Sequence, residues 1–238
     1  MQQPVQITRH PRSRRLKLKV HRDASVEVVA PPRASALEIE RFVQSHRAWI
    51  EQAQARMRKL RAERAPADEQ GDPTRLELRA TGHCVAVEYC NKRGRRGWEW
   101  REDRLIIEVA ANDAANARDL IIGALKYRAR ATLEERLWAH ARRLDLHFGK
   151  VSWRHQKTRW ASCSSRRNIS LNIRLLFLPV ELVDYVFVHE LAHLDHPNHS
   201  PLFWACVERF MPEYRERLKA LKRAHQYLPE WLFDCARG

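Results

Sequence analysis

Charged and apolar residues alternate over Leu16 to Val20 and Val26 to Val29, around Arg22-Asp23-Ala24-Ser25, which predicts a β-hairpin. Pro31-Pro32 stops it. Ser35 and Glu38 have the spacing of a capping box, and Ile39, Phe42, Val43, His46, Trp49 and Ile50 then recur at helical spacing. The distal part of this basic helix, Arg56 to Arg64, loses its apolar stripe and is expected to fray into a polar linker, Ala65 to Pro73. Leu76 to Ala80, Cys84 to Cys90, Trp98 to Trp100 and Leu105 to Val109 read as short strands, with Asn91 to Gly97 as a basic turn. Trp98 and Trp100 share one face of a strand, where they either cover core or stack on bases.

Asp113 can cap a helix running to about His140, with Leu120, Ile121, Ala124, Tyr127, Ala131, Leu137 and Trp138 near its buried side. Two strands follow, Val151 to Arg154 and Ile169 to Arg174. In the second, Ile169, Leu171 and Ile173 alternate with Ser170, Asn172 and Arg174, as in a sheet with one face buried. From Pro179 to Val188 the chain is apolar enough for a buried helix and has a proline at its start. Ser200-Pro201 supplies an N-cap and a first-turn proline for a helix carrying Phe203, Trp204, Val207 and Phe210, ended by Met211-Pro212. Tyr214 to His225 reads as a final charged helix. The predicted fold class is α+β, with a smaller β-rich N-terminal half, 1–112, carrying a long basic helix at about 35–64, and a second half, 113–238.

Composition narrows the partners. The 238 residues carry a formal charge of +15, and the first 66 hold 15 Lys/Arg against 6 Asp/Glu. Such a surface suits an anionic partner (nucleic acid, a nucleotide or an acidic polypeptide), and is equally what a solvated basic face looks like. Five cysteines without a CxxC pair argue against a disulfide framework or a second structural zinc site. The N-terminus lacks the apolar core of a signal peptide, and no stretch approaches about 18 apolar residues, so no membrane association and a cytoplasmic setting are expected.

One stretch names a chemistry: His189-Glu190-Leu-Ala-His193, an HExxH signature, with His199 six positions on. Histidines four apart project from one helical face and can share Zn²⁺, and the adjacent glutamate can take a proton from an activated water. His196 and His199 compete as third ligand. Pro197 ends the helix near Asp195, and in a continued helix His196 would lie about 10 Å along the axis from His189, too far for bonds of about 2.1 Å to converge. A chain that turns after His193 brings His199 back, so His199 is preferred. Helix, strands and HExxH helix in this order suit a zincin. Met211 is a candidate floor beneath the metal, with ordinary packing as the simpler role.

Thr158-Arg-Trp160-Ala-Ser-Cys163-Ser-Ser, Asn168-Ile-Ser-Leu-Asn172-Ile-Arg174, Asp184-Tyr185, His189 to His193 and Asn198-His-Ser-Pro-Leu-Phe203-Trp204 together resemble the YgjP-like family of bacterial zinc metallopeptidase domains, related to the SprT-like and minigluzincin proteases. The likeness runs from about Trp153 to Pro212, and Arg12 to Pro31 is similar to that family's N-terminal hairpin. The resemblance implies a zincin-like (minigluzincin) catalytic half, one Zn²⁺ per chain on His189, His193 and His199, and Glu190 as general base. Ala161 stands where the family usually has glycine, and Ile173 where it often has tryptophan; the first bears on how closely a substrate backbone can approach.

The expected activity is peptide-bond hydrolysis of a protein or peptide. Arg159, Trp160, Ser162, Cys163, Asn172 and Arg174 are the candidate substrate-binding residues, because the segment Arg159 to Ser165 precedes a strand where an extended peptide can add. Arg174 and His155 are candidate oxyanion donors, and Tyr185 is read as packing. Cys163 has no oriented base implied by spacing, so a packed thiol is expected rather than a nucleophile. Two other classes stay open. A metal-dependent nucleoside triphosphate pyrophosphohydrolase is implied by an association of the resembled family, and a nucleic-acid-associated SprT-like protease, or a degenerate zincin acting as a binding module, would use the basic N-terminal half.

Overall fold

The computed structural model describes residues 5–21, 24–62, 72–91, 96–109 and 114–234. The turn at Arg22-Asp23, most of the linker from Ala65, the centre of the basic turn at residues 92–95 and the cap at Asp113 lie outside the described residues. Tertiary contacts divide the chain into two compact units, Met1–Ala67 and Asp68–Gly238.

In the first unit, β1 (Gln6–Arg9), β2 (Lys17–Val20) and β3 (Val26–Ala30) form one sheet in the order β1-β3-β2. The hairpin pairs Lys19 with Glu27 and Val20 with Val26, and β1 adds in parallel to the other edge of β3. That third strand was not expected, because its four residues are mostly exposed and show no apolar repeat. Helix α1 (Ala36–Ser45) begins with the capping box: Ser35 Oγ accepts from the Glu38 N–H, and the Glu38 carboxylate accepts from the Ser35 N–H at 2.7 Å. Its Ile39 packs on Val28 and Ala30. Helix α2 (Arg47–Ala62) follows with Ile50 buried, while Trp49 stays half exposed.

The second unit begins with a four-stranded sheet of β4 (Arg75–Leu78), β5 (His83–Cys90), β6 (Gly97–Arg101) and β7 (Arg104–Glu108), in the order β4-β5-β7-β6. Its Leu76, Leu78, Val85, Leu105 and Ile107 share one core with helix α3 (Ala114–Arg143). This is why the division falls after Ala67 and not at the expected 112: the sheet has no core of its own apart from α3. Trp98 and Trp100 are occupied there. Trp100 Nε1 donates to the Ala124 carbonyl at 3.2 Å, Trp98 tilts against Tyr127, and Gly123 makes room, since a Cβ there would meet Trp98 Nε1 at 3.2 Å. The buried stripe of α3 runs through Ile121, Leu125, Ala129, Leu133 and Leu137, whereas Tyr127 and Ala131, expected to be buried, face outward.

A second sheet, β8 (Val151–Arg154), β9 (Ala161–Cys163) and β10 (Ile169–Asn172), has the order β8-β10-β9 and leaves β9 at an edge. β10 is shorter than its alternation predicts. After Asn172 the chain tightens into a fully buried 3₁₀ turn, Ile173–Phe177, that leads into α4 (Val180–Ala192). Helices α5 (Pro201–Phe210) and α6 (Tyr214–Leu221), a 3₁₀ turn at Ala224–Tyr227 and α7 (Trp231–Asp234) complete the unit; the expected final helix to His225 is thus broken after Leu221. Helix α4 is buried over most of its surface, as its apolar run predicts. It is tied to α3 by Asp184, which accepts from Arg136 Nη2 at 2.6 Å and lies 2.9 Å from His140 Nε2. Burial alone would raise that carboxyl; the hydrogen bonds from Arg136 and His140 outweigh it and hold the pKa below its ordinary value.

Candidate metal centre

The last turn of α4 carries His189 and Glu190, and His193 is its C-cap. Beyond His193 the chain turns, and two contacts hold the turn. His193 Nδ1 lies 3.0 Å from the His196 carbonyl, and Arg167 Nη1 donates to the Leu194 carbonyl at 3.1 Å. Ser200 then caps α5 by accepting from the Phe203 N–H at 3.3 Å, with Pro201 in the first turn, which sets His199 just ahead of a rigid helix.

The result is a convergence of three imidazoles. One nitrogen from each of His189, His193 and His199 lies within 4.8 Å of the others, and the Nε2 atoms of His189 and His199 are 3.1 Å apart. Two nitrogens bound tetrahedrally at about 2.1 Å would be separated by about 3.4 Å, so the cluster is already near the dimension of a metal shell. The tautomer fits as well. With the Nδ1 proton of His193 directed at the His196 carbonyl, its Nε2 presents a lone pair. Burial lowers the pKa of His189 to about 4, helped by the neighbouring imidazoles, and burial lowers that of His193 too, so both rings stay neutral and able to ligate. The cluster therefore fits a divalent metal. The imidazole of His196 has no part in it; that residue contributes its backbone carbonyl.

Phe203 is the residue whose importance the sequence pattern hid. It reads as an apolar position of α5, yet its ring stacks on His193 at 4.5 Å and meets His189 and His199 edge-on at 4.9 and 4.8 Å. Trp204 stacks on His199 at 5.7 Å and on Tyr214 at 5.4 Å. Only the pairing of α5 with the end of α4 reveals this aromatic floor; spacing in the chain does not. Met211 is packed among Tyr185, Val188, Phe203, Val207 and Tyr214, in keeping with the packing role.

Glu190 is 6% exposed and its Oε2 has no hydrogen-bond partner. Burial pushes its pKa up to about 7, against the opposing pull of the Cys163 backbone N–H and the charge of Arg159. The approach of β9 to Glu190 follows from strand geometry. The backbone bonds that join β9 to the β10 segment run through even-numbered residues: Asn172 N–H to the Trp160 carbonyl at 2.9 Å, and Ser164 N–H to the Asn168 carbonyl at 2.9 Å. In an antiparallel pair the intervening residues point their N–H and C=O groups the other way. Ala161 and Cys163 therefore turn their backbone groups out from the edge, toward Glu190 and the cleft.

The six candidate substrate-binding residues separate into two sets. Arg159, Ser162 and Cys163 line an open groove on the sheet, and Trp160 stacks on His225 at 5.5 Å. The Cys163 thiol is half-buried, and burial, then the charge of Glu190, raises its pKa, as expected of a packed thiol. Asn172 and Arg174 are 1% and 2% exposed, and their side chains hydrogen-bond backbone. Asn172 Nδ2 donates to the Gln156 and Arg159 carbonyls at 2.8 and 2.7 Å, and its Oδ1 accepts from the Arg174 N–H. Arg174 donates to the carbonyls of Lys157 at 2.9 Å and Leu232 at 3.3 Å beneath the ring of Phe233. His155 Nε2 is likewise committed, 2.9 Å from the Leu232 carbonyl, and burial followed by the Arg174 charge lowers its pKa to about 4. Both side chains are turned to backbone carbonyls. Tyr185, 1% exposed with an unpartnered hydroxyl, packs beside His189, and burial pushes its pKa up to about 12.

Comparison with known proteins agrees with this chemistry. Among solved structures, the crystal structure of the metallopeptidase zymogen of Pyrococcus abyssi abylysin is similar, with 31% identity over 39% of this chain and 93% of that chain, at a TM-score of 0.36. No curated protein matches the chain. Residues 14–224 match the family described as YgjP-like, metallopeptidase domain. With nearly its whole length inside that match and three histidines gathered at one point, the chain belongs to the YgjP-like metallopeptidase family and is a metal-dependent hydrolase.

Proposed function

We propose that the protein is a zinc metallopeptidase of zincin-like, minigluzincin type, in which His189, His193 and His199 hold one Zn²⁺ and Glu190 is the general base. The observation that carries this reading is the meeting of three imidazoles next to a buried carboxyl with an unpartnered oxygen. An all-nitrogen set of three with one open position suits catalytic zinc. A bound zinc would supply a Lewis acid and lower the pKa of a coordinated water to about 7.

The protein's own groups do the rest. Glu190 takes a proton from the attacking water and delivers it to the leaving nitrogen, a cycle suited to a carboxyl whose pKa burial moves toward neutrality. The edge of β9 orients the substrate: the outward N–H and C=O groups of Ala161 and the C=O of Cys163 can pair with an extended peptide added as a further strand, while the Cys163 N–H is held by Glu190. Phe203 holds the three rings in place from below and keeps water from their inner faces.

Elemental analysis tests the metal set directly. The wild type is expected to hold one zinc per chain, His199→Ala to lose it, and His196→Ala to keep it. Retention in His199→Ala, or no binding by the wild type after reconstitution, would remove the reading. Cleavage of an unfolded protein by wild type and not by Glu190→Gln is the matching activity result.

A further inference from the structure

The face of the β8-β10-β9 sheet turned away from the core is polar, and one register explains it. Ser152, Ser170 and Ser162 are direct cross-strand neighbours, so their side chains form a row across all three strands on one face, while Ile169, Leu171 and Cys163 turn to the other. The row floors an open groove of about 560 Å³. Lys150, Arg154 and Arg159 stand at its rim, and no acidic residue lines it. Lys150 and Arg154 are exposed and, among the described residues, their side chains have neither ion pair nor hydrogen bond; the three serine hydroxyls are equally uncommitted. A concave surface with uncompensated positive charge and free hydroxyl donors is complementary to a carboxylate or phosphate oxyanion.

The groove continues into the candidate cleft. Cys163, whose backbone N–H reaches Glu190, and Arg159 line it. In a peptide added along that edge, the backbone bonds are made through the N–H and C=O of Ala161 and the C=O of Cys163. The substrate residue opposite Ser162 then lies between them, with its side chain on the same face as Ser162, at the mouth of the groove. Resting on the metallopeptidase reading above, we propose that this groove is a specificity subsite that selects substrates bearing a carboxylate side chain at the position opposite Ser162. The hydroxyls of Ser162 and Ser170 receive the carboxylate, and Arg154 and Lys150 supply the charge.

The test uses the full-length zinc-loaded protein and two fluorogenic peptides identical except that glutamates in one are glutamines in the other. The glutamate peptide is expected to be cleaved with a kcat/KM about tenfold higher, the worth of one good charge-assisted contact. In Lys150→Gln/Arg154→Gln that preference should fall to about twofold, the glutamate peptide losing several times more kcat/KM than the glutamine peptide. Lys219→Gln/Lys222→Gln, which removes the same charge from an exposed stretch at α6, should keep the preference, separating a local subsite from the overall positive charge. Equal cleavage of the two peptides by wild type, or equal loss in both double variants, overturns the subsite and leaves the peptidase reading intact. Inorganic phosphate separates the sources of the anion. Inhibition of the wild type that is lost in Lys150→Gln/Arg154→Gln, with no preference between peptides, would assign the groove to a free anion and overturn the substrate role. If neither peptide is cleaved, anisotropy on the same labelled peptides decides: tighter binding of the glutamate peptide, lost only in Lys150→Gln/Arg154→Gln, supports the groove even though the peptidase reading has failed, and equal binding overturns it.

Discussion

Two groups of buried polar side chains lie on neighbouring elements of the second unit and are used in opposite ways. Asn172 Nδ2, both terminal nitrogens of Arg174 and His155 Nε2 are spent on backbone carbonyls of Gln156, Lys157, Arg159 and Leu232. On α4, Glu190 Oε2 and His189 Nδ1 are buried without a partner, and the Nε2 atoms of His189 and His199 meet at 3.1 Å. A buried polar group that is left unpaired costs about 1 to 3 kcal/mol, so a fold retains several together only where something outside the chain repays them. The difference teaches that the residues holding the loop before β9 direct most of their polar atoms at backbone, whereas the imidazoles and carboxyl gathered at the end of α4 keep buried atoms open to a ligand.

The comparison can be broken first at its functional end. Glu190→Gln should lower peptide hydrolysis by about a thousandfold while leaving the denaturation midpoint and zinc content unchanged, because no folded-state partner of Oε2 is lost. A variant that lost stability in proportion to activity would place Glu190 in the committed group. At the structural end, Asn172→Ala strands two carbonyl acceptors and the Arg174 N–H in a buried setting. Urea denaturation should show a loss of about 3 kcal/mol, with zinc stoichiometry retained.

Asp184 offers a smaller effect and a pH signature. Its carboxyl is depressed in the folded protein, so its stabilising contribution is fully present above its ordinary value of 3.8 and is lost as pH falls through the lower folded value. Asp184→Asn should cost about 1 to 2 kcal/mol at neutral pH, and the difference from wild type should shrink in that acid range. The smallest change is expected at His155, whose pKa falls from 6.5 to about 4 on folding. Between those values the unfolded chain binds the proton first, so stability declines as pH drops from 6.5 to 4 and levels off below. His155→Gln should flatten that segment relative to wild type; parallel curves would show that the ring is already accessible to protons.

Much of the site was legible in residue order. HExxH on an apolar run marks two imidazoles on one helical face with a carboxyl beside the first, and Pro197 with Ser200-Pro201 marks where the chain must turn and restart, which is enough to prefer His199 over His196 for the histidine cluster. Arg174 misled for a physical reason. A strict two-residue alternation places it on the polar face of a strand, but the chain leaves the strand at Asn172, and in the tighter 3₁₀ turn every residue from Ile173 to Phe177 is buried. The division of the chain misled similarly, because strand patterns show that β4 to β7 exist without showing that their apolar face needs α3 to cover it.

Local signals therefore determined which elements form, where the helices are capped, and which atoms can ligate a metal, since these depend on periodicities and turn chemistry within a few residues. Tertiary structure alone decided that Phe203 underlies all three imidazoles, that the backbone of Ala161 and Cys163 faces outward, and that three serines and three cations share one groove. Each of those depends on which strand pairs with which and in what register, and a one-residue slip would reverse every face involved.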